Sequence, residues 1–488
     1  MGRWPGRDAA PGGAFVSETS PKGILLLVVA ATMVLGGLWA WFHPGQFDNV
    51  ELLGTVLFLE LLFVFLWRFE QLFYPAVILS FVFAGTAVPF QGAFNEGRWV
   101  VLGFGAVVGL IKWMKSPFRS LGAFHLVAAF CVLSAGVSAV VSEYPTVAIA
   151  KAASLFLLFL YGATGARVAV SGREEKFFQG LILALEIAVY VTALCYFVLG
   201  LKFFGNPNSL GATMGIGVFP VLFWGWLSSQ KTQRTRRFIA LALCCCLLLF
   251  SLARAAILGA ACVALILAIS LREYKLVLKG MAILLVGLSF TAILAPSFVE
   301  ENVTEFRDAV LYKGHKEQGI FGSRSSPWDA AITEIKSHPF FGSGFGTSPT
   351  GVDTRFALAN FASESQLSRE HGSSYLAIAG WVGLVGLLPF IALLFLVIVN
   401  VWKVCVGMRE TRDPFNFAIP VAMVMVAGLM HAGFEDWLFA VGSYSSVYFW
   451  TFAFILGDLV PRSAVRQPVR SNAIRQWVYP LETADSRR

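Results

Sequence analysis

Charge is scarce in this chain. Asp, Glu, Lys and Arg make up 14% of its 488 residues, where a soluble domain carries about 25%. That shortage, beside 57% hydrophobic residues, excludes a soluble globule, and the apolar residues fall in long blocks of the kind a bilayer requires. Cysteine is also sparse. All seven, Cys131, Cys195, Cys244, Cys245, Cys246, Cys262 and Cys405, lie in or at the edge of apolar blocks, and no C-x-x-C pair exists. This excludes a disulfide framework and a cysteine-based zinc site; the run "CCC" reads as small apolar filler in a helix. No acidic cluster of metal-site type is visible, so neither a metal nor a cofactor is expected. The net charge of +8 does not point to nucleic acid. Its cations sit in short connections between apolar blocks, which is a pattern of membrane topology.

What the chain has instead is a succession of apolar blocks near 23–42, 52–67, 72–88, 98–114, 121–141, 147–170, 177–200, 207–228, 238–253, 255–271, 277–295, 372–401, 416–434 and 437–457. They predict an all-α polytopic membrane protein with about 12–14 transmembrane helices. The first block, Gly23–Phe42, is long enough to span and reads as a retained helix rather than a cleaved signal. Loop charges test the order. Alternate connections carry Arg68; Lys112, Lys115 and Arg119; Arg167, Arg173 and Lys176; Lys231, Arg234, Arg236 and Arg237; Arg272, Lys275 and Lys279; and Lys403, Arg409 and Arg412. The connections between them carry almost none: "HPGQFDNVE", "SEYPT" and "FEDW" have no Lys or Arg. By the positive-inside rule both termini are cytoplasmic. The predicted organisation is a cytoplasmic tail over 1–22, membrane helices over 23–295, an outer loop over 296–370, further membrane helices over 371–457, and a cytoplasmic tail over 458–488.

One cation breaks an apolar run. Phe238 to Leu271 is 34 residues, about 51 Å as one helix, against a hydrocarbon core of about 30 Å. The run must fold back, and its one charge, Arg254, is expected at the outer tip of the hairpin. A guanidinium buried in hydrocarbon costs about 2.5–3.5 kcal/mol, so Arg254 either snorkels to the interface or serves a ligand.

The outer loop is long enough to be functional or disordered, and its content favours order. In "SPWDAAITEIKSHP", Ser326 is a plausible N-cap and Pro327 suits the first helical position. Trp328, Ala331, Ile332 and Ile335 then form one apolar stripe, and His338-Pro339 ends the helix. Val299, Val303, Phe306 and Val310 predict a second short amphipathic helix. "GSGFG" at 342–346 reads as a turn that lets backbones approach closely. Histidine is rare, but His43, His315, His338, His371 and His431 all belong to the outer half. Arg254, Arg307, Arg324, Arg355 and Arg369 lie there too, and Glu435 and Asp436 end the thirteenth block. Arginines suit phosphate through paired charged hydrogen bonds, and histidine suits general-base work near neutral pH. Plainer readings stand beside these. Arg324 can be a solvated loop charge, His371 a capping or interfacial residue, and His338 a structural residue before proline. Glu60 and Glu186, mid-block, are either functional or paired structurally.

The order "SLAR", "GSRSSPWDAAITEIKSHPFFGSGFG", "EHGSSYLAIAGWVGLVGLLPF" and "HAGFED" resembles the O-antigen ligase and O-antigen polymerase superfamily over roughly residues 238–440. The resemblance implies a polytopic bacterial inner-membrane enzyme with one large periplasmic loop. It implies diphosphate-binding roles for Arg254 and Arg324 and a catalytic role for His371, with His338, Ser373, Ser374, His431 and Glu435 as supporting candidates. Members usually carry Asn after the histidine; here Gly372 stands there, and Ser373 or Ser374 is the candidate replacement. The implied reaction is metal-independent transfer of a glycan from undecaprenyl diphosphate to an acceptor sugar hydroxyl, in a lipid A core for a ligase or another lipid-linked unit for a polymerase. The implied partners are the lipid-linked donor, the glycan or lipid A core acceptor and the bilayer, with no nucleic acid. A lipid-linked glycan flippase or transporter is the alternative of another class, and it should show internal repeats and broken helices.

Overall fold

The computed structural model describes residues 62, 64, 65, 67–86, 91–115, 121–202, 204–275, 322–347 and 372–460. The predicted blocks near 23–42 and 277–295, the predicted helix around Val299–Val310, Glu60 and His371 lie outside the described residues. So do His43, His315, Arg307, Arg355, Arg369, the tail 1–22 and the tail 458–488 beyond Val460, its first two residues, Asp458 and Leu459, belonging to the last helix instead.

Among the described residues all regular structure is helical. The helices are α1 (Phe73–Ala84), α2 (Gln91–Lys115), α3 (Ala123–Val140), α4 (Pro145–Val170), α5 (Glu174–Val198), α6 (Pro207–Leu227), α7 (Lys231–Phe250), α8 (Arg254–Ser270), α9 (Gly322–Ser337), α10 (Ser374–Thr411), α11 (Ala418–Ala432) and α12 (Tyr444–Leu459). Six of them, α2 to α6 and α10, are long and apolar enough to cross a membrane. Each predicted block from 72–88 to 255–271, and each from 372–401 onward, overlaps a helix, although the block 437–457 becomes helical only at Tyr444.

Helix α3 shows why the chain needs lipid. Leu126, Phe130, Leu133, Val137 and Val140 recur at intervals of three and four residues and are 49–71% exposed, a face that water would oppose and acyl chains accept. The opposite face carries the small residues Ala128, Cys131, Ala135 and Ala139, all buried, so neighbouring backbones approach closely. Ser134 Oγ donates to the Gly386 carbonyl at 2.8 Å and Ser138 Oγ to that of Trp381 at 2.5 Å, tying α3 to α10. At the centre stand α11 and α12, buried almost all round. Trp450, Phe439, Phe449 and Phe159 interlock there in edge-on and tilted pairs at 5.1–5.4 Å.

Two polar contacts fix the end of the bundle that the loop charges assign to the cytoplasm. Arg167 in α4 makes a two-pronged pair with Asp458 in α12, Nε to Oδ2 at 2.5 Å and Nη2 to Oδ1 at 2.6 Å, while Nη1 meets His125 at the start of α3. Arg167 is 4% exposed, so removing Asp458 takes a two-pronged carboxylate from a buried cation. Asp458→Ala is expected to destabilise the protein by on the order of 3 kcal/mol, and Arg167→Met combined with Asp458→Ala by less, read as thermal midpoints in detergent. Glu186 of α5, equally buried, lies 3.0 Å from Arg236 and 3.8 Å from Arg237 of α7. Of its two readings, the structure supports the paired one.

Candidate functional site

The site begins at the α7–α8 corner. Helix α7 stops at Phe250, and Leu252 takes a left-handed conformation with φ 51°. Ser251 closes the corner from inside: its Oγ donates to the Leu248 carbonyl at 2.6 Å and accepts from the Ala253 N–H at 3.3 Å. Arg254 is then the first residue of α8. The hairpin tip predicted from run length is found there, and a guanidinium at a helix start faces the loop end of the bundle rather than its hydrocarbon centre.

Helix α9 brings a second guanidinium. The prediction placed its start at Ser326–Pro327, but the helix runs from Gly322 and Pro327 lies inside it. The difference has a local cause. Proline withdraws one N–H and crowds the carbonyl four residues earlier; near a helix start this costs a single bond and the helix persists through it. The consequence is functional, since Arg324 rides on the first turn of α9 instead of a preceding loop. Trp328, one turn on, donates from Nε1 to the Gly372 carbonyl at 3.1 Å, binding α9 to the segment that leads into α10.

The third contributor is the end of α11 and the connection to α12. Glu435 forms an ion pair with Arg324. Its backbone carbonyl is gripped twice, by the Ser374 N–H at 3.0 Å and by Ser374 Oγ at 2.6 Å, and Ser374 Oγ in turn accepts from the Leu438 N–H at 3.1 Å. His431, 3% exposed, accepts at Nδ1 from Trp437 Nε1 at 2.8 Å. Further along, the Gly442 carbonyl accepts from Arg98 Nη1 at 3.0 Å, and that guanidinium lies over Phe81 and Trp99, 5.6 and 5.1 Å from their centroids. Sequence reasoning missed Arg98. Its signal was a cation in a connection where charge alternation expects none.

The glycine turn that follows α9 ties its end to α10. Gly342, Gly344 and Gly346 have φ of 75°, 115° and 71°. The N–H groups of Ser343 and Gly344 donate to the carbonyls of Gly380 and Trp381, and those of Leu384 and Val385 to Pro339 and Phe340. Four backbone bonds thus stitch the turn into a break in α10 at Gly383, φ 65°. Lys151 Nζ donates to the Gly346 carbonyl at 2.6 Å and Ser142 Oγ to that of Ser343 at 3.0 Å. The turn that "GSGFG" predicts is present; the break in α10 was not foreseen.

Of the sequence-predicted site residues, Arg254, Arg324, Glu435 and His431 are brought together. Arg324 lies close enough to both Arg254 and His431 for its charge to act on them, although the chain separates Arg254 from Glu435 by most of its second half. Ser374 belongs to the framework, its hydroxyl engaged on both sides by the Glu435 connection. Ser373 is buried at the N-cap of α10 without a side-chain capping bond. His338 is not brought in. It follows α9, about 21 Å of helical rise from Arg324, and its Nδ1 lies 3.0 Å from Ser337 Oγ. His371 precedes the anchored Gly372 but is itself outside the described residues.

Arg254 and Arg324 thus bring two guanidiniums to one place beside the Glu435 carboxylate, and the planar forks of arginine match phosphate oxygens. Residues 239–391 match a family model described as O-antigen ligase. The matched stretch takes in Arg254, Arg324 and the break at Gly383, and ends before His431 and Glu435. Among curated proteins none matches the chain.

Proposed function

We propose that this chain, which carries the O-antigen ligase family domain over residues 239–391, transfers a glycan from undecaprenyl diphosphate to an acceptor sugar hydroxyl at the periplasmic face of the bacterial inner membrane. At the coarser level, the family match and the helices long and apolar enough to cross a membrane support a bacterial membrane protein with a glycosyltransferase-like role in O-antigen processing. The observation that carries the finer reading is the approach of Arg324 to Arg254 at one end of the bundle, with Glu435 holding Arg324 in place.

In this reading the acceptor oxygen attacks the anomeric carbon, the bond from that carbon to the diphosphate oxygen breaks, and the lipid diphosphate leaves with the bonding electrons. Arg254 and Arg324 stabilise the charge that grows on the departing diphosphate. His371 takes the proton from the acceptor hydroxyl. The two guanidiniums supply the positive charge, so the reaction needs no metal. The ligase and polymerase versions differ only in the acceptor that approaches.

Transport has one point in its favour, the broken helix α10. The carbonyls around that break are satisfied by the chain's own glycine turn, and Glu186 is held in an ion pair, so neither is left to serve a passing substrate. The test is reconstitution of the purified protein with undecaprenyl-diphosphate-linked glycan and an acceptor. A product of higher mass, formed also in EDTA, is expected. His371→Ala and Arg254→Ala are each expected to abolish it while the protein remains inserted and folded. Movement of the lipid-linked glycan across the bilayer with no new product would favour the flippase instead.

A further inference from the structure

His431 has a chemical state that its neighbours decide. Indole Nε1 can only donate, so the 2.8 Å contact from Trp437 makes His431 Nδ1 an acceptor. The proton of a neutral ring then resides on Nε2. An imidazolium would set two N–H groups against each other across that contact, so the geometry holds the ring neutral. Trp437 is itself fixed, edge-on to Phe449 at 5.9 Å, and the ring of His431 is 3% exposed. That N–H stands about one turn of chain before Glu435, the partner of Arg324, and within reach of the Arg324 charge.

A third cation beside two guanidiniums would add repulsion, whereas a neutral donor adds none. A neutral imidazole also cannot accept a proton at Nε2, which already bears one, so a base role is closed to it. What remains is an N–H directed at a hydrogen-bond acceptor, and the ligand drawn by Arg254 and Arg324 is rich in acceptor oxygens. We propose that His431 is a third diphosphate-binding residue, donating from Nε2 with its tautomer locked by Trp437, and that it transfers no proton. This rests on the reading of the Arg254 and Arg324 pair as a diphosphate site.

The test uses the full chain in detergent and farnesyl diphosphate as probe. His431→Ala is expected to weaken binding about tenfold, equal to about 1.4 kcal/mol. His431→Gln places an amide N–H near the former Nε2 and is expected to stay within about threefold of the parent. Trp437→Phe releases the tautomer and is expected to weaken binding a few-fold, with the thermal midpoint as control for folding. The pH profile of transfer in His431→Gln should match that of the parent. The proposal is overturned if His431→Ala binds the probe as the parent does, or if His431→Gln stays folded yet loses a limb of the pH profile. Arg254→Ala and Arg324→Ala separate the two levels. If they weaken binding while His431→Ala does not, only the His431 role fails; if none of the three does, the diphosphate site itself is wrong.

Discussion

Arg324→Ala is expected to lower glycan transfer by about a hundred- to a thousandfold, the loss typical of removing one preorganised donor from a site of developing negative charge. The effect has two parts. The variant loses the fork proposed to grip the diphosphate, and it takes the Arg324 cation away from the Glu435 carboxylate, only 19% exposed, beside the proposed anion site. Arg324→Ala combined with Glu435→Gln should therefore recover about tenfold over Arg324→Ala alone, although the double variant makes no new contact with substrate. Arg324→Lys keeps the charge but loses the planar fork, and its rate should fall between the parent and Arg324→Ala. Initial rates at saturating acceptor, with folding checked by thermal midpoint, give all three values. Arg324→Ala at near-parental rate would remove this residue from the mechanism. A double variant slower than Arg324→Ala would mean that Glu435 works on the substrate and not merely on Arg324.

The second large effect is expected at a residue that touches no substrate. Gly344 adopts φ 115°, which side-chain-bearing residues rarely occupy, and a Cβ there would overlap Ser142 Oγ and crowd Thr347. Gly344→Ala is expected to destabilise the protein by on the order of 3 kcal/mol and to cut transfer severely. The turn is the link between α9 and the break in α10, where a Cβ on Gly383 would likewise overlap the Phe340 backbone. Loosening it lets Arg324 drift from Arg254, and a displacement of about 1 Å is enough to cost on the order of a hundredfold in rate. Adding Ser142→Gly should relieve the overlap but not the backbone strain, so partial recovery is predicted. Gly344→Ala with an unchanged thermal midpoint and unchanged transfer would show that the docked turn does not position the arginine.

Much of the scaffold was legible because a bilayer reduces folding to length and polarity. The block 121–141 became α3 at Ala123–Val140 and the block 207–228 became α6 at Pro207–Leu227. The α7–α8 corner at Arg254 followed from a run too long to cross once. The docked glycine turn was legible as a turn, since three closely spaced glycines leave few other uses. What it docks against was not. Gly383 sits in an unbroken apolar run, where hydropathy is blind to a φ of 65° and to carbonyls that a distant turn will satisfy. The start of α9 was misread because proline was taken as a boundary, whereas so near a helix start it costs a single bond and the helix persists through it.

The site was legible only as a set of candidates. Residue type and side of the membrane nominated Arg254, Arg324, His338, His431 and Glu435 together, and nothing in their spacing could rank them. Distance in space did so, drawing four of them together and leaving His338 at the far end of α9.

The sequence by itself determined that this chain is an all-helical membrane protein, because long apolar blocks with little charge follow from the cost of placing charge in hydrocarbon. The tertiary structure alone decided which of the candidate groups meet, that Glu435 holds Arg324, and that Trp437 fixes the proton of His431. Such facts depend on hydrogen-bond geometry over a few ångströms between elements far apart along the chain, and local composition carries no record of that.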